Sequence, residues 1–155
     1  MGLNNVPIPA SMEVSPKTIN LEKLLLMKKQ GINRVSIGIQ SFIEAETKLL
    51  GRPQKQKEIE NALDTIRKVD FPTLSIDLIY GGAEQTSASW RFSLARSLEW
   101  QPEELFLYPL YVRPLTGLGK KSDREWSDFR LQLYREGRDF LLNNGYEQVT
   151  MRIFR

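Results

Sequence analysis

Hydrophobic residues follow two different periods along this chain. Apolar residues three and four positions apart predict amphipathic helices, and apolar residues at every second position predict strands. In the most regular helical run, about 54–68, the residues Ile59, Ala62, Leu63 and Ile66 fall at i, i+3, i+4 and i+7. Further helices are predicted over about 20–30, 43–50, 86–100 and 125–143, strands over about 12–15, 34–40, 73–80 and 104–110, and a last apolar stretch over 148–154.

The first predicted helix has clear end signals. Asn20 is suited to cap its amino terminus, and Gly31 is suited to end it. We expect its apolar face to consist of four leucines, Leu21, Leu24, Leu25 and Leu26.

Strands that alternate with helices predict βαβ units. Parallel neighbours in a sheet need a crossover connection, so this order indicates a parallel sheet and an α/β fold. A complete eight-unit barrel takes about 250 residues, whereas this chain has 155. We therefore predict one domain over residues 1–155, formed as a partial barrel, an open sheet or a piece of something larger.

The predicted strands are apolar on one face only. Side chains alternate across a strand, so every second residue shares a face. In 34–40 and 73–80 the apolar positions are Val35, Ile37, Ile39, Leu74, Ile76 and Leu78. The intervening positions are mostly small or polar, which suits a face that lines a cavity instead of a packed core.

One polar side chain stands near the carboxyl-terminal half of each strand. These residues are Glu13, Gln40, Asp77 and either Tyr108 or Tyr111. Because α/β sheets bind ligands above the carboxyl ends of their strands, they predict a polar cavity there. Arg52 can enter the same space and pair with a carboxylate. The alternative is that each is a structural polar residue with its hydrogen bonds satisfied.

Two absences from the composition exclude whole kinds of chemistry. The chain has no cysteine and no histidine. It therefore offers no thiolate or imidazole for zinc, copper or an iron–sulfur cluster, and no Ser-His-Asp or Cys-His catalytic system. We expect no metal site from these residues.

Charge and hydropathy give weaker indications. The net charge is +3, and the basic residues are dispersed instead of forming a stripe with interleaved aromatic residues, so we expect no nucleic-acid partner. The longest apolar run, 105–112, is too short to span a membrane, and residues 1–5 do not resemble a secretory signal. The sequence thus predicts a soluble cytoplasmic protein.

Several segments together resemble one protein family. They are EVSP at 13–16, GINRVSIGIQSF at 31–42, LGR at 50–52 and IDLIYG at 76–81, with LYPL at 107–110 and GYEQ at 145–148. In this order and spacing they resemble the radical S-adenosylmethionine proteins similar to oxygen-independent coproporphyrinogen III oxidase. That family also includes haem chaperones and class C methylases.

The resemblance implies a fold and a set of cofactor contacts. The family fold is a six-stranded (β/α) partial barrel, of which this chain is expected to keep strands three to six. Residues matching Glu13 and Gln40 help to hold S-adenosylmethionine, an arginine matching Arg52 faces its carboxylate, and an aspartate matching Asp77 holds a polar part of the cofactor.

The departures from the family are equally specific. The resemblance implies a [4Fe–4S] cluster held by a CxxxCxxC motif, and this chain has no cysteine. A glycine-rich segment of the second strand is missing too. GGAEQT at 81–86 stands where relatives usually have GLPGQT, and Gln54 stands where many have histidine. We expect no radical chemistry, and hence no catalytic residue, from this chain in isolation.

Three functions remain open from the sequence. The chain can be part of an enzyme that decarboxylates coproporphyrinogen propionates oxidatively, with a complementing chain that carries the missing half-barrel. It can be a haem or porphyrin carrier that keeps the cavity without the cluster. It can also be a non-functional remnant of a truncated gene. An unpaired edge at the strand containing Glu13 favours the first and third.

Overall fold

Five strands form one sheet in the order β1-β2-β3-β4-β5 in this computed structural model, which describes residues 9–111 and 128–155. The strands are β1 (Ala10–Val14), β2 (Ile32–Gln40), β3 (Thr73–Tyr80), β4 (Glu104–Pro109) and β5 (Ile153–Phe154). The helices are α1 (Leu21–Lys29), α2 (Glu44–Leu49), α3 (Gln56–Val69), α4 (Ser87–Leu98) and α5 (Asp128–Asn143).

The parallel core of the sheet confirms the predicted α/β fold. β1 pairs with β2, β2 with β3 and β3 with β4, all in parallel. The short β5 is antiparallel to β4, since Leu105 pairs with Phe154 and Phe106 with Ile153. The helix α5 lies between β4 and β5 in the chain, and the last apolar stretch runs back along β4 in the opposite direction. The sheet is therefore parallel from β1 to β4, as predicted, and antiparallel at β5.

The helices cover one face of the sheet. The alternate residues of β2 and β3 that were predicted to be apolar are fully buried, as are Leu63, Trp90 and Leu105. Trp90 packs within the core while its Nε1–H donates to the Leu133 carbonyl at 2.8 Å, so its one polar atom is satisfied. The opposite face carries the polar positions.

The predicted apolar face of α1 is wrong in part. Asn20 does cap the helix, because its side chain accepts from the Lys23 N–H at 2.8 Å. Of the four leucines, however, Leu24 alone is buried, and Leu21, Leu25 and Leu26 are 51–57% exposed. The helix contacts α3 and β2 through the side that carries Leu24.

Some expectations fall beyond the described ranges. Residues 1–5, judged for a secretory signal, and residues 125–127, at the predicted start of the last helix, lie outside them. Within 9–111 and 128–155, each helix is too short or too polar to traverse a lipid bilayer.

Candidate functional site

A cavity of about 300 Å³ lies above the carboxyl ends of β1 and β2. Three of the four residues predicted to contact a cofactor, Glu13, Gln40 and Arg52, line it. The remaining wall comes from β1, β2, the loop after β1 and the loop before α3, namely Val14, Gly38, Ser15, Pro16, Lys17, Pro53 and Gln54. The wall thus carries one carboxylate, two cationic groups and two amide side chains.

Glu13 reaches the cavity from the edge of the sheet. It pairs with Ser36 in the register of β1 and β2 and its side chain is exposed. β1 is followed by a turn in which the Thr18 N–H donates to the Ser15 carbonyl at 3.0 Å. This turn places Lys17 on the same wall as Glu13.

Gln40 reaches the cavity through an irregularity in β2. The pairing with β3 shifts between Gly38 and Gln40, which leaves Ile39 as an extra residue on β2. Gln40 has a left-handed backbone with a φ of 70°, and its side chain is buried. A residue with a Cβ rarely adopts this conformation, and such strain is concentrated at functional sites.

Arg52 is presented by the turn that ends α2. Gly51 has a φ of 72°, which glycine adopts without steric cost. The Arg52 N–H then donates to the Thr47 carbonyl at 2.9 Å and closes the turn. The guanidinium is exposed at the cavity wall, where it can pair with a carboxylate.

Asp77 lies one strand further along the sheet and does not line the cavity. It is paired in register with Gly38 on one side and Phe106 on the other. The Ser36 hydroxyl faces both carboxylate oxygens, at 3.1 and 3.2 Å. Burial raises the pKa of Asp77 to about 6; the Ser36 hydrogen bond opposes this shift, and nearby Glu13 adds to it.

The two tyrosines predicted near the site differ in their surroundings. Tyr108 stacks on Phe106 with ring centroids 5.6 Å apart, on the same face of the sheet as Asp77. Burial, followed by the charge of Asp77, raises the pKa of Tyr108. Tyr111 is 59% exposed, and the Arg152 guanidinium lies 5.8 Å from the Tyr108 ring and 5.9 Å from the Tyr111 ring.

Sequence reasoning missed two contributors to this site. The strand pattern predicts only a small polar residue at Ser36, although Ser36 is the hydrogen-bond partner of Asp77. Gln54 was noted as a departure from the family and not as part of the site, yet it is buried at the cavity wall. The alternation of β2 was a signal for Ser36, whereas nothing local marked Gln54.

The donor set of the cavity fits the amino-acid part of S-adenosylmethionine. A carboxylate accepts from an ammonium, a guanidinium pairs with a carboxylate, and amides serve ribose or base groups. The Gln54 Oε1 atom is buried and has no donor within the described residues, so the wall holds an unused acceptor. The residues do not fit a [4Fe–4S] cluster, since the chain has no cysteine to supply thiolates. In the described part of the chain, acidic residues do not gather in a group that could bind a metal.

A larger groove lies away from these residues. It measures about 720 Å³ and runs along α4 and α5, with Arg91, Arg135 and Glu136 on its wall. It contains none of the predicted cofactor contacts. A large volume does not by itself indicate a binding site. The smaller cavity, which is lined by the predicted cofactor contacts, is therefore the better candidate site.

Comparisons with known proteins identify relatives of this chain. The heme chaperone HemW of Synechocystis is 34% identical over 91% of this chain and 35% of its own length. The oxygen-independent coproporphyrinogen III oxidase of Escherichia coli is 31% identical over 95% of this chain and 33% of its own length. The chain thus spans about a third of the length of these relatives.

Solved structures give the same result for the fold. The structure of coproporphyrinogen III oxidase (HemN) from Escherichia coli, a radical SAM enzyme, matches with a TM-score of 0.84 and 31% identity. The match covers 94% of this chain and 35% of the HemN chain. The archaeal Elp3 of Methanocaldococcus infernus shares the fold with a TM-score of 0.65 at 20% identity. The profile of the Radical SAM superfamily matches residues 4–93, more than half of the sequence, and the chain therefore belongs to the radical SAM superfamily.

Proposed function

We propose that this chain forms the S-adenosylmethionine-holding part of an enzyme similar to oxygen-independent coproporphyrinogen III oxidase. The observation that carries the proposal is that Glu13, Gln40 and Arg52, from three separate segments, line one cavity. Glu13 accepts from the cofactor's ammonium, Arg52 pairs with its carboxylate, and Gln40 supplies an amide to its polar edge. Asp77, beside this cavity, accepts from a hydroxyl in its ionised form.

The chemistry of the whole enzyme depends on groups outside this chain. S-adenosylmethionine held here would supply radical chemistry for the oxidative decarboxylation of porphyrinogen propionates, and the iron–sulfur cluster that this chemistry needs would have to be held elsewhere. This chain binds and orients the cofactor but has no thiolate for the cluster. We infer that it is inactive alone and works in the cytoplasm with a complementing polypeptide that carries the cluster.

A porphyrin or haem carrier is the second candidate. The observation in its favour is the stacked pair Phe106 and Tyr108, with the Arg152 guanidinium 5.8 Å from the Tyr108 ring. Such a surface suits a flat ring system with carboxylate substituents. A chain without histidine would have to ligate haem iron through tyrosine or methionine, which makes this candidate the weaker one. A non-functional remnant would bind neither ligand.

Calorimetric titration separates these functions. We expect S-adenosylmethionine to bind the wild type, and Arg52→Ala to weaken it at least tenfold, about 1.4 kcal/mol. Arg135→Ala, an exposed arginine on α5 at the other groove, is the matched control and should bind like the wild type. Binding of a porphyrin but not of S-adenosylmethionine would favour the carrier, and binding of neither would favour the remnant.

A further inference from the structure

The position of the Gln40 side chain depends on a glycine two residues earlier. A Cβ built on Gly38 would lie 2.7 Å from Gln40 Nε2, closer than such atoms approach in real proteins. The amide of Gln40 therefore folds back over the Gly38 backbone, in the space that a side chain would fill. The bulge and the left-handed φ of 70° at Gln40 make this return possible.

The carbonyl group of the same Gly38 is bound by Gln54. Gln54 lies in the loop between α2 and α3, and its Nε2 donates to the Gly38 carbonyl at 3.0 Å. A carbonyl oxygen only accepts, so it is the nitrogen of this amide that must face Gly38. The Gln54 backbone N–H in turn donates to Thr47 Oγ1 at 3.4 Å, which ties the loop to α2.

The other end of the Gln54 amide is poorly suited to a purely structural role. The residue is 9% exposed, and its Oε1 atom finds no donor in the described ranges. An unpaired buried acceptor opposes folding, and an apolar side chain of similar size would avoid it. The feature that an apolar side chain would lose is the hydrogen bond to Gly38.

We propose that Gln54 is a positioning residue that holds the Gly38–Gln40 bulge so that the Gln40 amide faces the cavity. The identity of the ligand, S-adenosylmethionine, rests on the proposed function, whereas the positioning itself does not. The positioning effect of Gln54 acts through the backbone of β2 and is carried by Gln40; it is distinct from the unpaired Gln54 Oε1 at the cavity wall. The Gln54 side chain thus governs affinity for the polar part of an amino-acid nucleoside.

The test combines backbone NMR with titration on the full 155-residue chain. A left-handed residue gives a strong intraresidue HN–Hα cross-peak, which we expect for Gln40 in the wild type. In Gln54→Leu this cross-peak should weaken and S-adenosylmethionine affinity should fall at least tenfold. The thermal midpoint should change little, because the variant removes the unpaired Gln54 Oε1 together with the donor to the Gly38 carbonyl. Gln54→His, whose ring N–H can donate to Gly38, should restore both signals to near the wild-type values.

The two hypotheses fail in different ways. If the wild type does not bind S-adenosylmethionine, the proposed function is wrong, and the Gln40 cross-peak still decides the positioning role. An unchanged cross-peak and affinity in folded Gln54→Leu would overturn the inference. Should Gln54→Leu not fold, Gln54→Asn, too short to reach Gly38, takes its place and the same two outcomes apply.

Discussion

At the scale of single residues, the carboxyl group of Asp77 has the most distinctive chemistry. The sequence indicated it, because an aspartate stands between the apolar neighbours Ile76 and Leu78. The convergence of Glu13 and Arg52 could also be anticipated, since Glu13 lies near the carboxyl end of a strand and Arg52 follows a short helix. The role of Gln54 could not, because it depends on a hydrogen bond to a carbonyl sixteen residues away.

Asp77 makes the stability of the protein depend on pH. Its pKa rises from 3.8 to about 6 on folding, so the folded protein holds this proton more tightly than the unfolded chain. The contribution of protonated Asp77 to the free energy of unfolding is fully present below about pH 4 and is lost as the pH rises through about 6. At about 1.4 kcal/mol for each pH unit, this loss is about 3 kcal/mol at most.

Asp77→Asn tests this dependence. Asparagine is uncharged, so we expect the variant to be more stable than the wild type at pH 8, by about 1–3 kcal/mol, and similar to it at pH 4. Urea unfolding at the two pH values measures both differences. Asp70→Asn, at an exposed αL position, is the control and should follow the wild type. Equal stabilities of Asp77→Asn and wild type at pH 8 would contradict the raised pKa.

Gly38→Ala tests the close approach of Gln40. The new methyl group would displace the Gln40 amide, which is the end of a flexible side chain, so the fold should survive with a loss below about 1.5 kcal/mol. Affinity for S-adenosylmethionine should fall about tenfold or more. Gly82→Ala, where the nearest atom is 3.7 Å away, is the control and should bind normally. Wild-type affinity in Gly38→Ala would exclude this role of the Gln40 amide.

At the scale of helices and strands, apolar residues at a regular helical spacing predicted a buried face more reliably than a large number of apolar residues did. The helix predicted over 54–68 is found as α3, with its apolar positions buried, because they all lie on one stripe. The four leucines of α1 spread over more than half of the helix circumference at about 100° per residue, so they cannot share one face. The direction of β5 could not be predicted either, since two residues carry too little pattern.

Glu104 connects β4 with β2 and with the residue that follows β5. It is 4% exposed, and its carboxylate accepts from Arg34 Nε at 2.7 Å and from Arg155 Nε at 2.8 Å. It therefore joins the start of β4 to β2 and to the end of the chain after β5. A buried carboxylate with two guanidinium partners is a strong contact only while both its oxygens are bound.

Glu104→Ala should lower the free energy of unfolding by about 2 kcal/mol, because it leaves two guanidinium groups without their carboxylate. Both arginines reach solvent, which limits the loss. Glu147→Ala, at an exposed glutamate, is the control. Glu103 is unsuitable for this purpose, because its carboxylate accepts from the Leu74 N–H. Urea unfolding of Glu104→Ala and Glu147→Ala makes the comparison, and equal losses would show that Glu104 does not join the strands.

At the scale of the whole molecule, one edge of the described sheet has no neighbouring strand. β1 has a strand partner on one side only among the described strands. Met12 on this strand is exposed, as are Leu21, Leu25 and Leu26 on the neighbouring α1. An open strand edge and exposed apolar side chains are both features of surfaces that pair with another chain. This agrees with a chain that spans about a third of its relatives.

The open edge of β1 and the exposed leucines of α1 predict self-association of the isolated chain. We expect sedimentation velocity to show oligomers that increase with concentration. The double variant Leu25→Lys and Leu26→Lys should shift the chain toward monomer, because charge on α1 opposes contact there. Lysine at Leu142 on α5, also exposed, should leave the association unchanged. A wild-type chain that stays monomeric at all concentrations would contradict the prediction.

In the proposed function, residues from β1, β2 and the loop after α2 converge on one S-adenosylmethionine cavity. The most direct test of this proposal is NMR of the isotope-labelled chain during titration with S-adenosylmethionine. We predict saturable shifts in the signals of Glu13, Gln40, Gly51 and Arg52, and smaller ones at Asp77. Shifts confined to Arg91, Gln132 and Arg135 in the groove along α4 and α5, or no saturable shifts at all, would contradict it.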